Sequence, residues 1–232
     1  MGYFFDPTYF LILSPALLLA FWAQMKVRSA YSNAMQEPAS CSGAQAARVI
    51  LNQAGLSNVP IEETYGELSD HYDPASRTVR LSSDVYHSHS LAAVGIAAHE
   101  VGHAMQHAQH YAPLVVRNLA VPAAIWAPNL SIIMIIAGAL LSSAPVIWLG
   151  IMTFGVVVIF QLINLPVEFD ASARAKRLLP ELGLVDRHGG EVVAGVLNAA
   201  AWTYVAATLQ SVLTLLYYII RYGGILNRSN DD

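Results

Sequence analysis

Four apolar stretches of this chain are long enough to cross a lipid bilayer, and they constrain its fold more than any other feature. A membrane-spanning helix needs about 20 mostly apolar residues, and the stretches lie near residues 7–25, 115–141, 145–165 and 205–222. Only 12% of the 232 residues are charged, about half the usual share of about 25% in soluble domains. The sequence therefore predicts a mainly α, polytopic membrane protein with about four spans.

The spans divide the chain into five predicted segments. They are an N-terminal transmembrane anchor (1–25), a polar segment (26–114), a transmembrane helical hairpin (115–165), a second polar segment (166–204), and a C-terminal transmembrane helix with its tail (205–232). Four spans put both polar segments on one side of the membrane. Basic residues flank the membrane on that side: Lys26, Arg28, Arg117, Arg174, Lys176 and Arg177. The positive-inside rule then places both polar segments in the cytoplasm.

The first two spans carry further signals. Lys26 and Arg28 follow the first apolar run instead of preceding it, which favours a retained anchor over a cleaved signal peptide. Aromatic residues stand at its ends, where membrane interfaces favour them: Tyr3, Phe4, Phe5, Tyr9 and Trp22. The second span contains Pro122 and Pro128 and should be kinked.

The first polar segment has the signals of a small folded domain. Residues 42–55 read as a helix with Ser42 as its N-cap and Gly55 as its stop. The turn residues DPAS separate two short β-prone stretches, 67–72 and 78–82, which predict a hairpin or the rim of a small sheet. Residues 78–82 (TVRLS) are either an ordinary edge strand or a strand that pairs with an extended substrate. A further helix is expected from about 90 to 110.

This last helix contains the motif HEVGH, which begins at His99. Residues four apart lie on one face of a helix, so His99 and His103 can bind one zinc ion together. Glu100 is then close enough to contact a zinc-bound water without being a ligand. Zinc lowers the pKa of that water to about 7, and the carboxylate can take its proton during attack on a carbonyl. Gly95 and Gly102 would let another element approach this helix closely.

A catalytic zinc usually has three protein ligands, and one candidate source of the third lies on the same helix. The pattern H-E-x-x-H-x-x-G-x-x-H needs Gly at 106 and His at 109, but the chain has Gln106 and Gln109, so this pattern fails. His107 lies a further turn along the helix, and His110 is out of register. Both are therefore expected to be solvated or interfacial histidines.

The other source of a third ligand is a downstream glutamate, from Glu168, Glu181 and Glu191. Glu168 is favoured because it follows the third span, on the same side as HEVGH, where a carboxylate needs a partner. Pro166 suits the first turn of a new helix that would carry it. Glu181 is expected to be a solvated charge, and Glu191 is the fallback.

The motif HEVGHAMQH, followed by PVEFDASARA, resembles the YugP-type neutral zinc metallopeptidases. These are similar to the wider group of membrane gluzincins that includes HtpX and the CAAX prenyl proteases. The resemblance covers nearly the whole chain, including DPASRTVRLSSDVY. It implies a small zincin-like α+β catalytic part in the cytoplasm, in a bacterial cytoplasmic membrane protein. It also implies Zn²⁺ as cofactor, with His99, His103 and Glu168 as ligands and Glu100 as general base.

The chain departs from the wider group at one position. The third-ligand helix of that group tends to read Glu-x-x-Ala-Asp, whereas here Ser172 stands in place of the aspartate. Asp170 and Ser172 are the alternatives for a residue that orients a zinc-binding histidine. Hydrolysis also needs a donor to the developing oxyanion. Tyr204 is the candidate, with His188 and Arg187 as rivals.

The leading hypothesis is an integral-membrane zinc-dependent endopeptidase that acts at the cytoplasmic membrane face. Its partners would be a membrane-associated polypeptide substrate, the lipid bilayer, and a membrane-protein partner or a second copy of the chain. The net charge of −4 shows no basic excess for nucleic acid. The alternative is a non-enzymatic scaffold with a structural zinc, which would need a fourth ligand such as His107 or Asp170. Transport is set aside because spans one and three contain no ionisable residue.

Overall fold

The structure, a computed structural model, describes residues 6–66 and 69–223. These ranges form seven helices and three strands: α1 (Pro7–Gln36), α2 (Gly43–Gln53), β1 (Ile61–Thr64), β2 (His71–Asp73), β3 (Thr78–Ser82), α3 (Ser83–His87), α4 (Leu91–Ala108), α5 (Ala112–Leu140), α6 (Ala144–Glu181) and α7 (Arg187–Tyr222). The predicted interfacial residues Tyr3, Phe4 and Phe5, residues 67 and 68 of the predicted strand, and residues 224–232 of the predicted tail lie outside the described residues.

Four of the helices, α1, α5, α6 and α7, are long and apolar enough to cross a membrane. Large apolar side chains on them are exposed, such as Leu119 at 77% and Leu140 at 81%. Such surfaces are stable in lipid, which surrounds apolar groups without the cost that water imposes. The chain is therefore a mainly α, polytopic membrane protein, as predicted.

Helix α6 differs from the prediction at Pro166. The proline was expected to begin a new helix, but α6 continues through it for 38 residues, so that expectation was wrong. Proline removes one backbone donor, here the N–H that would bond to the carbonyl of Leu162. Membrane-spanning helices tolerate such a loss because neighbouring helices, side chains or local adjustments of the helix satisfy the freed carbonyl. Glu168 thus lies on the same continuous helix as the third predicted span.

The chain divides into two compact units. Among the described residues, the first comprises 6–22, Val116–Leu165 and 204–223. Within it, α5 and α6 form a tight hairpin through Ser142, which has a left-handed backbone (φ 52°). The Ser131 hydroxyl donates a hydrogen bond to the Gly150 carbonyl at 2.8 Å. A Cβ on Gly150 would lie 2.9 Å from the Ser131 carbonyl oxygen, so glycine permits this close helix packing.

The second unit comprises Ala23–Val115 and Pro166–Thr203. Its helix α2 begins with a capping box. The Ser42 hydroxyl accepts from the Gln45 backbone N–H at 3.3 Å, and the Gln45 side chain accepts from the Ser42 N–H at 2.9 Å. Gly55 follows the helix with φ 73°, a conformation that glycine adopts freely. The core of the unit is one cluster of buried apolar side chains that includes Ile50, Leu81 and Val101.

The sheet of the second unit has the order β1-β3-β2. The predicted hairpin is present, because β2 pairs with β3 in antiparallel register. Strand β1 was not predicted, and it pairs with β3 in parallel register. Strand β3 (TVRLS) is therefore central, with both edges paired. The expectations that it is an edge strand or accepts a substrate strand were wrong, because its backbone groups already bond to β1 and β2.

Candidate active site

Helix α4 carries the HEVGH motif and begins where the sequence predicts. The Ser90 hydroxyl accepts a hydrogen bond from the Ala93 N–H at 3.2 Å and caps the helix. His99 and His103, one turn apart, present their rings to the same side, with centroids 4.8 Å apart in an edge-to-face arrangement. Both side chains are largely buried, at 13% exposure each.

Glu168 of α6 meets this histidine pair. Its Oε2 lies 3.3 Å from His99 Nε2 and 3.6 Å from His103 Nε2. One ligand atom from each of the three residues lies within 4.8 Å of the others. Ligands about 2.0–2.1 Å from a tetrahedral zinc would be about 3.3–3.4 Å apart. The two distances to the carboxylate therefore match zinc geometry closely.

The buried Glu168 carboxylate also has an oxygen that forms no hydrogen bond. Its Oε2 is buried and accepts no hydrogen bond from any described residue. A buried carboxylate oxygen that has imidazole nitrogens nearby but no well-formed hydrogen bond is costly, and a cation between it and the two imidazoles would remove that cost. Two neutral nitrogens and one carboxylate oxygen are a donor set that zinc prefers. The residues present therefore fit a zinc ion.

Electrostatics also prepares the site for a cation. Burial by itself would lower the pKa of His103, but the neighbouring carboxylates of Glu168 and Glu100 outweigh burial and raise it. The negative charges that hold a proton on His103 would equally attract a metal ion. Metal binding would displace that proton, because the ligand nitrogen must be neutral.

A small residue allows the two ligand-bearing helices to approach each other. A Cβ on Gly102 would lie 2.8 Å from the carbonyl oxygen of Ala171, one turn beyond Glu168 on α6. Gly95 likewise faces α7, where a Cβ would lie 2.9 Å from a methyl group of Val193. Both contacts agree with the prediction that these glycines permit close packing.

Both histidines have a partner behind the ring. Ser172 Oγ lies 3.1 Å from His99 Nδ1, so the serine at the position of the group's usual aspartate is the residue that contacts a histidine directly. Gln106 Oε1 lies 3.0 Å from His103 Nδ1. Asp170 contacts neither ring and bonds instead to the Gln106 amide. Sequence reasoning missed Gln106, although its spacing of three residues from His103 could have indicated it.

The other histidines and glutamates considered from the sequence lie elsewhere. His107 shares a hydrogen bond of 2.9 Å with the Tyr72 hydroxyl, through its Nδ1. His110 is exposed and follows the C-cap residue of α4, with φ 50°. Glu181 and Glu191 are both exposed, and Glu191 pairs with Arg187 at 3.4 Å. These positions suit surface roles.

Glu100 and Tyr204 are the two catalytic candidates that bind no metal. Glu100 is buried, at 8% exposure, immediately after His99 on α4. Tyr204 lies in α7 at the start of the last segment of the first unit, whereas the three candidate ligands belong to the second unit. The rival His188 is exposed, 3.7 Å from Glu37. Base and oxyanion-donor roles remain predictions.

Comparisons with known proteins agree with the zinc chemistry. A family model described as "Putative neutral zinc metallopeptidase" matches residues 9–223. The protein named "Putative membrane protease YugP" from Bacillus subtilis (strain 168) is 45% identical over 207 residues, which cover 88% of this chain and 92% of that protein. No solved structure matches the chain. From the family match, the membrane-protease relative and its four helices of spanning length, the chain belongs to the neutral zinc metallopeptidase family and is one of its membrane proteins, with Zn²⁺ as its cofactor.

Proposed function

We propose that the chain is an integral-membrane endopeptidase of the gluzincin type, in which His99, His103 and Glu168 hold the zinc and Glu100 is the general base. The observation that carries this proposal is the convergence of two Nε2 atoms on the buried Oε2 of Glu168, at 3.3 and 3.6 Å and without a well-formed hydrogen bond. The group contains no fourth His, Cys, Asp or Glu among the described residues. That open position favours a catalytic zinc over the closed, four-ligand site of a structural scaffold.

The proposed reaction is hydrolysis of a peptide bond. When bound, zinc polarises the substrate carbonyl and lowers the pKa of a coordinated water. The Glu100 carboxylate accepts a proton from the attacking water while the water oxygen bonds to the carbonyl carbon of the substrate. Glu100 then donates that proton to the leaving nitrogen as the C–N bond breaks. Burial of Glu100 limits its access to bulk water, which keeps the proton available for transfer.

The proposed substrates are membrane proteins and their juxtamembrane segments, cleaved at the cytoplasmic face. Glu168 lies three residues beyond the predicted third span, and His103 lies twelve residues before the predicted second span. Each of these two candidate ligands is therefore separated from a predicted span by only a short stretch of chain. The excess of basic residues beside the polar segments supports a cytoplasmic orientation.

The test compares wild type with Glu100→Gln in lipid nanodiscs. One unfolded polypeptide is supplied in two forms, free in solution and fused to a membrane anchor. We expect Glu100→Gln to bind zinc like wild type and to cleave at least about 100-fold more slowly, since general-base catalysis contributes about 10²–10⁴-fold. The exposed Glu191→Gln is the matched control and should cleave normally. Equal cleavage by wild type and Glu100→Gln would contradict the proposal, and preference for the free form would contradict the substrate class.

A further inference from the structure

A buried glutamine side chain lies directly behind one of the two histidines. We propose that Gln106 is a positioning residue that fixes His103 in the tautomer whose Nε2 is free to bind zinc. The inference rests on the proposed function, since it assigns His103 as a ligand. It adds a residue of α4 for which neither the motif nor the comparisons give a role.

The contact between the two side chains determines where the proton sits. Gln106 Oε1 lies 3.0 Å from His103 Nδ1. An amide oxygen only accepts hydrogen bonds, so the hydrogen in this bond must come from Nδ1. A neutral imidazole with its proton on Nδ1 has a lone pair on Nε2. That Nε2 is the atom 3.6 Å from the Glu168 carboxylate.

The other contacts of the Gln106 side chain fix the orientation of its amide. Gln106 Nε2 donates one hydrogen to the Val167 carbonyl at 2.7 Å and the other to Asp170 Oδ2 at 2.8 Å. A flipped amide would place its oxygen against these two oxygens, so both hydrogen bonds would be replaced by contacts between acceptors. Gln106 is completely buried, so water cannot supply the missing hydrogen bonds.

Asp170, which accepts one of the Gln106 hydrogens, is itself fixed by hydrogen bonds. Asp170 Oδ2 also accepts from Arg174 Nε at 2.6 Å, and the Arg174 guanidinium donates to Gln109 Oε1 at 2.6 Å. A chain of hydrogen bonds therefore runs from Arg174 through Asp170 and Gln106 to His103. Because Val167 precedes Glu168 on α6, the same amide ties His103 to the backbone beside the third candidate ligand.

His99 lacks an equivalent constraint. Its Nδ1 faces the Ser172 hydroxyl at 3.1 Å, and a hydroxyl can either donate or accept. Ser172 is therefore compatible with both tautomers of His99, whereas Gln106 is compatible with one tautomer of His103. The asymmetry makes the inference specific to His103.

The first test measures zinc affinity of the full-length protein in detergent micelles by competition with a chromophoric chelator. Gln106→Met preserves the length and volume of the side chain but removes the acceptor. We expect zinc binding about 10- to 100-fold weaker than in wild type, the usual range for loss of a residue behind a zinc ligand. Gln53→Met, at an exposed glutamine of α2 in the same unit, is the matched control and should stay within about twofold.

The second test observes the tautomer itself in ¹⁵N-histidine-labelled protein without metal, at a pH where the imidazole is neutral. The His103 signals, assigned with His103→Gln, should show the proton on Nδ1 in wild type. Folded Gln106→Met should shift toward the Nε2–H form. A wild-type proton on Nε2, or wild-type zinc affinity in folded Gln106→Met, would overturn the inference while leaving the proposed function intact. Absence of zinc binding by wild type would instead overturn the proposed function.

Discussion

Replacement of Gly102 by alanine should weaken zinc binding more than it weakens the fold. The added Cβ would lie 2.8 Å from the carbonyl oxygen and 3.0 Å from the Cα of Ala171, both backbone atoms. Ordinary contacts between carbon atoms are about 3.5–4.0 Å, so α4 and α6 must separate by roughly 0.5–1 Å at this point. His103 and Glu168 lie next to this contact on their respective helices, and a zinc site tolerates displacements of only about 0.2 Å.

The size of the loss in zinc affinity depends on whether the helices can separate and relieve the strain. Overpacking costs about 1–3 kcal/mol, but in the zinc-free protein the helices can separate and relieve it. Alanine also favours a helix over glycine by about 1 kcal/mol, so we expect the free energy of unfolding without zinc to change little. Bound zinc would draw Glu168 back toward the imidazoles and restore the clash. The zinc dissociation constant should therefore rise about 5- to 150-fold, the equivalent of about 1–3 kcal/mol.

The assay is zinc competition together with unfolding in detergent micelles, with two matched glycine variants. Gly195→Ala is also helical and in the same unit, and its Cβ would meet nothing within 4 Å, so its zinc affinity should match wild type. Gly95→Ala would meet a Val193 methyl group at 2.9 Å, which can shift, and should be intermediate. If Gly102→Ala binds zinc as tightly as Gly195→Ala, the close approach of α4 and α6 does not set the ligand geometry.

Three further predictions concern other parts of the chain. Ser42→Ala should lower the free energy of unfolding by about 1 kcal/mol, measured with urea, because it removes the α2 N-cap; an unchanged value would contradict that role. Hydrogen bonds from Arg80, Ser76 and the Ala75 N–H hold the pKa of Asp73 below its ordinary 3.8. This contribution is present above about pH 3.8 and declines below it, so Asp73→Asn should flatten the acid side of the pH–stability curve; an identical curve would be contrary evidence. Tyr204→Phe should reduce kcat about 10²–10³-fold with little change in KM, if Tyr204 supplies the oxyanion donor; unchanged kcat would exclude that role.

The elements that sequence analysis predicted correctly are those specified by local signals. Long apolar runs identify the four spanning helices because a bilayer imposes both length and composition. The N-cap Ser42 and the stop Gly55 delimit α2 because capping depends on residues next to the helix end. One prediction linked residues far apart in the chain, the pairing of HEVGH with Glu168, and it came from their positions beside the spans and from the family resemblance. The structure brings the three ligand candidates together, and their roles as zinc ligands remain predictions.

The elements that were missed depend on partners distant in the chain. Strand β1 has the sequence IEET, which lacks the alternation of a half-buried strand, and its pairing with β3 makes it a strand. That pairing also makes β3 central instead of an edge. Pro166 was expected to begin a helix, because proline is common at the first position of a helix. That preference depends only on nearby residues, so it could not show that α6 continues from the third span through Pro166. The role of Gln106 depends on Val167 and Asp170, about sixty residues away.

The central claim is that Glu168 completes a three-residue zinc site with His99 and His103. The most direct test is the zinc content of purified Glu168→Ala, dialysed against free zinc near the wild-type dissociation constant. Glu191→Ala, which removes the fallback candidate, is its matched control. We predict that Glu191→Ala retains the wild-type zinc content and that Glu168→Ala loses most of it. Equal zinc in Glu168→Ala and wild type, or loss of zinc in Glu191→Ala alone, would contradict the assignment of this site.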